Sequence, residues 1–165
     1  MPPLVVFSFA WASACFDWYP IDDPVMGGRS ASSVQCVGGH LRFSGHVSLE
    51  NNGGFASIRS QPGRHDLGGY RGVVLQVRGD GKRYKVNLRT DGALDGVQYQ
   101  ASFIAPVTWS EVELPFESFV PRFRGRPVPD APPLDPSRIA TFGLLISDRQ
   151  EGAFTLDIAW MGAYR

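Results

Sequence analysis

Residues 73 to 79 (Val-Val-Leu-Gln-Val-Arg-Gly) and 83 to 90 (Arg-Tyr-Lys-Val-Asn-Leu-Arg-Thr) alternate apolar and polar positions with a period of two. That period belongs to a strand with one face buried. The cluster Gly79-Asp80-Gly81-Lys82 between them is turn chemistry, so the pair predicts a β-hairpin. Further strands are expected at 33 to 37, 41 to 49, 54 to 60, 97 to 105, 109 to 114, 139 to 147 and 153 to 160, each bounded by Gly, Pro, Asn or Asp. An apolar i, i+3, i+4, i+7 pattern never survives more than about two turns without Gly or Pro. About nine strands and no sustained helix predict an all-β sandwich in a single domain, residues 1 to 165.

Alternation also assigns faces. Val73, Leu75 and Val77, then Tyr84, Val86 and Leu88, then Val97, Tyr99, Ala101 and Phe103 share one side. With Phe142, Leu144, Ile146, Phe154, Leu156 and Ile158 they form the expected core. The opposite side carries Gln76 and Arg78, then Lys85, Asn87 and Arg89, then Gln98, Gln100 and Ser102, read here as one polar sheet face.

Between Pro115 and Pro136 seven prolines interrupt any ladder or helix, and the segment is read as an irregular flap at about 115 to 136. Phe116, Phe119, Val120 and Phe123 give it apolar surface with which to pack down. The apolar N-terminal run Leu4 to Ala12 resembles the core of a secretion signal, but no Lys or Arg precedes Arg29, and it is read as mature chain.

Composition narrows the function classes. Sixteen basic and sixteen acidic residues cancel, which removes the long-range field that gathers nucleic acid or anionic membrane. All basic residues except Lys82 and Lys85 are arginines, planar forks suited to pairing. No apolar run reaches the ~18 residues of a membrane span, so a soluble, cytoplasmic chain is expected. Cys15 and Cys36 fit either two thiols or one disulfide; with no secretory signal, two buried thiols are expected.

Reaction motifs are missing. His40, His46 and His65 show no metal-binding spacing, no GxSxG elbow occurs, and Gly79-Asp80-Gly81 lies between strands, where a dinucleotide loop needs a following helix. Arg78-Gly79-Asp80 spells an adhesion tripeptide, discounted as a turn. Asp22, Asp23 and Asp157 are weak candidates for a structural calcium at the sandwich seam; otherwise no cofactor is expected. What remains is the polar face. Arg78, Asn87, Arg89, Gln98 and Gln100 offer guanidinium and amide groups suited to hydroxyl-rich or carboxylate-bearing ligands, with Arg124 and Arg126 of the flap placed to close over them. The competing reading is a solvated outer face held by internal ion pairs, with Glu111, Glu113 or Asp148 as partners. Trp11, Trp18, Trp109 and Trp160 suit sugar stacking or simple core filling.

Several blocks then read together: Asp22-Asp23-Pro24-Val25-Met26-Gly27-Gly28-Arg29-Ser30, Phe43 to Ser57 with its Glu50-Asn51-Asn52-Gly53-Gly54-Phe55, Tyr99-Gln100, Leu114-Pro115-Phe116, Phe123-Arg124-Gly125-Arg126 and Ser147 to Gly152. They resemble the complex I intermediate-associated protein 30 family across nearly the whole chain. The resemblance implies a galactose-binding-like jelly-roll β-sandwich similar to carbohydrate-binding modules, and a non-enzymatic role with a protein partner such as complex I subunits or assembly intermediates. A glycan- or small-polar-ligand-binding module is the alternative, with Asn52 at one end of the groove; a jelly-roll cyclase or isomerase is the third, for which Asp148 and Glu151 are the only carboxylates to nominate.

Overall fold

The computed structural model describes residues 2–21, 30–50, 54–91 and 96–165. The elements in chain order are β1 (Leu4–Ser8), α1 (Ala12–Cys15), β2 (Trp18–Pro20), β3 (Ala31–Val37), β4 (His40–Val47), β5 (Ala56–Ser60), β6 (Gly72–Gly79), β7 (Arg83–Arg89), β8 (Gln98–Ile104), β9 (Ser110–Pro115), β10 (Val120–Phe123), β11 (Arg126–Pro127), β12 (Thr141–Ile146) and β13 (Gly152–Tyr164). Sheet I has the order β3-β4-β13-β6-β9, with β1 also on β13. Sheet II has the order β11-β10-β8-β7-β12-β5-β2. The two antiparallel sheets make a jelly-roll β-sandwich.

The alternation read from the sequence decides what lies between the sheets. Val73, Leu75 and Val77 from sheet I meet Tyr84, Val86, Leu88, Phe142, Leu144 and Ile146 from sheet II, all at most 1% exposed. Each such side chain taken from water contributes roughly 1.5–3 kcal/mol before entropy is subtracted. Tyr84 brings a hydroxyl into this core and donates it to Asp80 Oδ2 at 2.9 Å, while the same oxygen accepts from the Thr155 amide. Burial, reinforced by the Asp80 carboxylate, pushes the Tyr84 phenol far above its ordinary range. Asp80 of the adhesion-like tripeptide is therefore a clamp on the β6–β7 turn.

Two expectations are corrected, and one segment without an assigned element gains one. The proline-rich segment was read as unable to join a ladder, yet Val120, Pro121 and Arg122 pair with Gln100, Tyr99 and Gln98 of β8, and β10 turns back into β11. Proline is tolerated there because β10 lies toward the sheet edge and does not need every amide. The apolar N-terminal run supplies β1, which pairs with Trp160 to Ala163 of β13. Cys15 and Cys36 are not two thiols but one disulfide, with Cα atoms 6.0 Å apart across 21 residues. It ties the segment entering β2, an edge of sheet II, to β3, an edge of sheet I.

Candidate functional site

The outward faces of the two sheets carry different rows. On sheet I, register places Gln35 opposite Arg42, Arg42 opposite Asp157 and Asp157 opposite Arg78. Asp157 is 3% exposed and accepts from Arg42 Nε at 2.8 Å and Arg78 Nη2 at 2.9 Å. Its burial alone would raise the carboxyl, but the hydrogen bonds from Arg42 and Arg78 outweigh that and hold it below the ordinary carboxylate range. His40 Nε2 stands 3.4 Å from the same carboxylate, an ion-pair distance without good hydrogen-bond geometry. The Trp109 ring covers Arg78 at 4.8 Å and meets His40 edge-on at 5.3 Å.

Arg78 therefore does not join the amides with which the sequence reading grouped it; it lies on the other sheet, engaged with Asp157 and Trp109. Asp157 faces two guanidiniums, a setting that repels a calcium ion. The described residues bring no three His, Cys, Asp or Glu together in a way that would hold a metal. Asp22, Asp23, Asn51 and Asn52 lie outside the described residues.

On sheet II the continuous row is Tyr19 (β2), Arg59 (β5), Gly143 (β12), Asn87 (β7), Gln100 (β8) and Val120 (β10), neighbour to neighbour. Beside it Arg89 stands opposite Thr141, and Gln98 opposite Arg122. These positions point away from the core, yet Asn87, Arg89, Gln100 and Thr141 are only 7%, 3%, 6% and 2% exposed. Asn87 Oδ1 is buried and accepts no hydrogen bond. Lys85, further along β7, reaches Asp148 at 3.2 Å, so Asp148 serves as an ion-pair partner.

Asn87, Arg89, Gln98 and Gln100 are thus gathered as expected. Arg124 and Arg126 stand apart from them, on the β10–β11 hairpin. That hairpin turns through Arg124 and Gly125, both with positive φ, and Arg122 donates to the Gly125 carbonyl. Arg124 lies over the Phe123 ring at 5.3 Å, and Phe123 is exposed. A concavity of about 520 Å³ opens among Arg64, His65, Thr90, Asp91, Ser137 and Arg138. His65 is packed against Phe7 and Phe142, and burial lowers its pKa.

Sequence reasoning missed Tyr19, Arg59, Gly143 and Arg122. Two of them left a signal: Arg59 alternates outward within Ala56-Ser57-Ile58-Arg59, and Gly143 interrupts an otherwise apolar strand, which marks a close approach or an empty space.

Among solved structures, a family 11 carbohydrate-binding module of a Clostridium thermocellum cellulosomal cellulase superposes with a TM-score of 0.74, covering 100% of this chain and 97% of that one at 18% identity. That likeness confirms the fold. The mitochondrial complex I intermediate-associated protein 30 of Mus musculus is 27% identical over 97% of this chain and 56% of its own length. Its Drosophila melanogaster counterpart is 26% identical over 96% of this chain and 62% of its own length. The chain therefore spans little more than half the length of these relatives. The model of the complex I intermediate-associated protein 30 family matches residues 7–158, and the chain belongs to that family.

Proposed function

We propose that the chain is a non-enzymatic binding module that engages a protein partner during assembly of respiratory complex I, with the β10–β11 hairpin as its docking element. The observation that carries this reading is the hairpin itself. Within five residues it presents Arg122, Phe123, Arg124 and Arg126, and Phe123 and Val120 are 39% and 44% exposed. An aromatic flanked by guanidiniums is the composition that anchors protein interfaces. The local excess of positive charge selects an acidic surface. The names of the mouse and fly relatives support the assembly context. No helix among the described residues is long and apolar enough to cross a membrane. The Cys15–Cys36 bridge supports an oxidising compartment rather than the cytoplasm expected from sequence.

Affinity capture of the tagged chain from its host, read by quantitative mass spectrometry, tests the proposal. Complex I subunits or assembly intermediates are expected to be enriched, and an Arg124→Glu, Arg126→Glu double variant is expected to lose at least about tenfold of that enrichment. Recovery of no complex I protein, together with normal complex I in a deletion strain, would overturn it.

A further inference from the structure

We propose that β3, at the edge of sheet I, receives an uncharged extended peptide of a partner protein as an added strand, and that the groove beside its Val34–Cys36 end holds one apolar side chain of that peptide. None of the residues of the β10–β11 hairpin takes part.

The first observation is the edge itself. Among the described residues, β1, β2, β3, β9 and β11 each have a single ladder partner. Four of them carry a feature that discourages a second one: β9 holds Glu111, Glu113 and Pro115, β2 has three residues and ends in Pro20, β11 has two and includes Pro127, and the register of β1 on β13 shifts between Val5 and Phe7. β3 (Ala-Ser-Ser-Val-Gln-Cys-Val) has seven residues, no charge, no proline and an unbroken register with β4. Such an edge is a template for another strand.

The second observation is where its backbone points. Gly38 and Gly39, with φ of 55° and 85°, make a two-residue turn with both residues left-handed, and Val37 faces His40 across it. The residues flanking such a turn exchange hydrogen bonds, and bonded pairs then alternate along the ladder. Ser33 and Gln35 are therefore bonded to β4, while the amides and carbonyls of Val34 and Cys36 point to the free side. Among the described residues no backbone group meets them there.

The third observation lies beside that stretch. A groove of about 410 Å³ is lined by Phe16, Trp18, Pro20, Val34 and the Cys15–Cys36 bridge, with no charged side chain on its wall. Phe16 is 81% exposed, so most of its ring stands in water.

Together these features name the occupant. An extended backbone presents amides and carbonyls at the spacing of the edge, and a wall without charge rejects a charged side chain, which would lose its hydration and gain no counter-charge. A second copy of the chain brings a strand but no side chain for the groove. Its Val34 is packed against its own core, its Cys36 is held by its own bridge, and its Ser32 donates to the Ser57 carbonyl of its own sandwich. A partner's extended segment keeps such a side chain available.

The test is NMR of the full chain with its disulfide intact, titrated to about 5 mM with capped peptides Ser-Thr-Ser-X-Ser-Thr-Ser in which X is Val, Leu, Phe or Trp, a range that detects millimolar affinity. At least one peptide is expected to shift the Val34 and Cys36 amides and to slow their exchange with solvent several-fold. Methylating peptide nitrogens of one parity should abolish binding and of the other parity leave it unchanged, since only every second amide of an added strand faces β3. Phe16→Ala should weaken binding about tenfold with Tm unchanged within ~2 °C, because the ring is exposed in the free chain. Val34→Pro, which removes an amide outside the β4 ladder, should abolish it. Silence of every peptide at Val34 and Cys36, binding indifferent to which nitrogens are methylated, or full affinity in Phe16→Ala would each overturn the proposal. Binding of N-acetylphenylalaninamide as tightly as the Phe peptide would also overturn it, in favour of a pocket for a small apolar molecule. Concentration-dependent dimerisation that protects the same amides would overturn it in favour of a second copy.

Discussion

The outer faces of the two sheets start from the same sequence pattern, a polar residue at every second position, and end in opposite states. On sheet I the polar row is closed upon itself: Asp157 is taken by Arg42 and Arg78, and Trp109 covers the second arginine. On sheet II the row runs through a glycine, Asn87, Arg89 and Gln100 are at most 7% exposed, and Asn87 Oδ1 accepts no hydrogen bond. Sheet I too keeps one buried polar atom unmet, His40 Nε2 beside Asp157, so what distinguishes the faces is the shared carboxylate that two guanidiniums grip on sheet I.

The sharpest way to break the comparison is to disturb the strand contact that fixes sheet I. Gly162→Ala forces a methyl against the Leu4 carbonyl and must push β1 from β13, so chemical denaturation should register a loss of about 3 kcal/mol or more. A similar loss is expected when the two sheets are untied at their shared edge. Cys15→Ser with Cys36→Ser opens a loop of 21 residues, for which chain entropy predicts about 3 kcal/mol, measured as a shift in denaturation midpoint that reductant reproduces in the parent chain.

The smallest effect concerns the ion network itself. Asp157→Asn should lower stability at neutral pH by about 2 kcal/mol, because hydrogen bonds to a charged group are lost. Its pH dependence gives the sharper reading. The folded-state pKa of Asp157 lies below its ordinary 3.8, so its contribution is complete above that value and disappears as pH falls through the depressed one. His65 behaves in the same direction at higher pH: burial lowers its pKa from 6.5, so stability declines as pH drops below that value. Melting temperatures from pH 7 to 2 should therefore fall in two stages, and Asp157→Asn should flatten only the lower one.

Much of this was legible from alternation. The nine strands expected from the sequence all form, displaced by a few residues at their ends, and Tyr84, Val86 and Leu88 face the core as their spacing requires. The period of two reports whether a residue points in or out and nothing more. Arg78 and Asn87 both point outward on their own strands, but which sheet a strand enters depends on pairings between distant residues, such as Asp157 with Arg78 and Gly143 with Asn87. The Cys15–Cys36 bridge was hidden for the same reason, since a spacing of 21 residues carries no information about proximity in a sandwich. β10 was hidden by its proline, which the edge of a sheet accepts and its centre does not. Of the site, Asn87, Arg89, Gln98 and Gln100 were legible as a group; Arg59 and Gly143, which continue the Asn87–Gln100 row across β12 and β5, were not.

β13 holds sheet I together, with β6 along one side and β4 followed by β1 along the other. Until residues 152 to 164 have left the ribosome, β1, β4 and β6 have no common neighbour, and their apolar sides must wait in company with sheet II or a chaperone. Synthesis at ~5–20 residues per second gives that exposure a duration of seconds, during which the free edge of each waiting strand is open to wrong partners. The last strand to be made is thus the one that commits the domain to its fold, and late translational pausing should raise misassembly more than early pausing does.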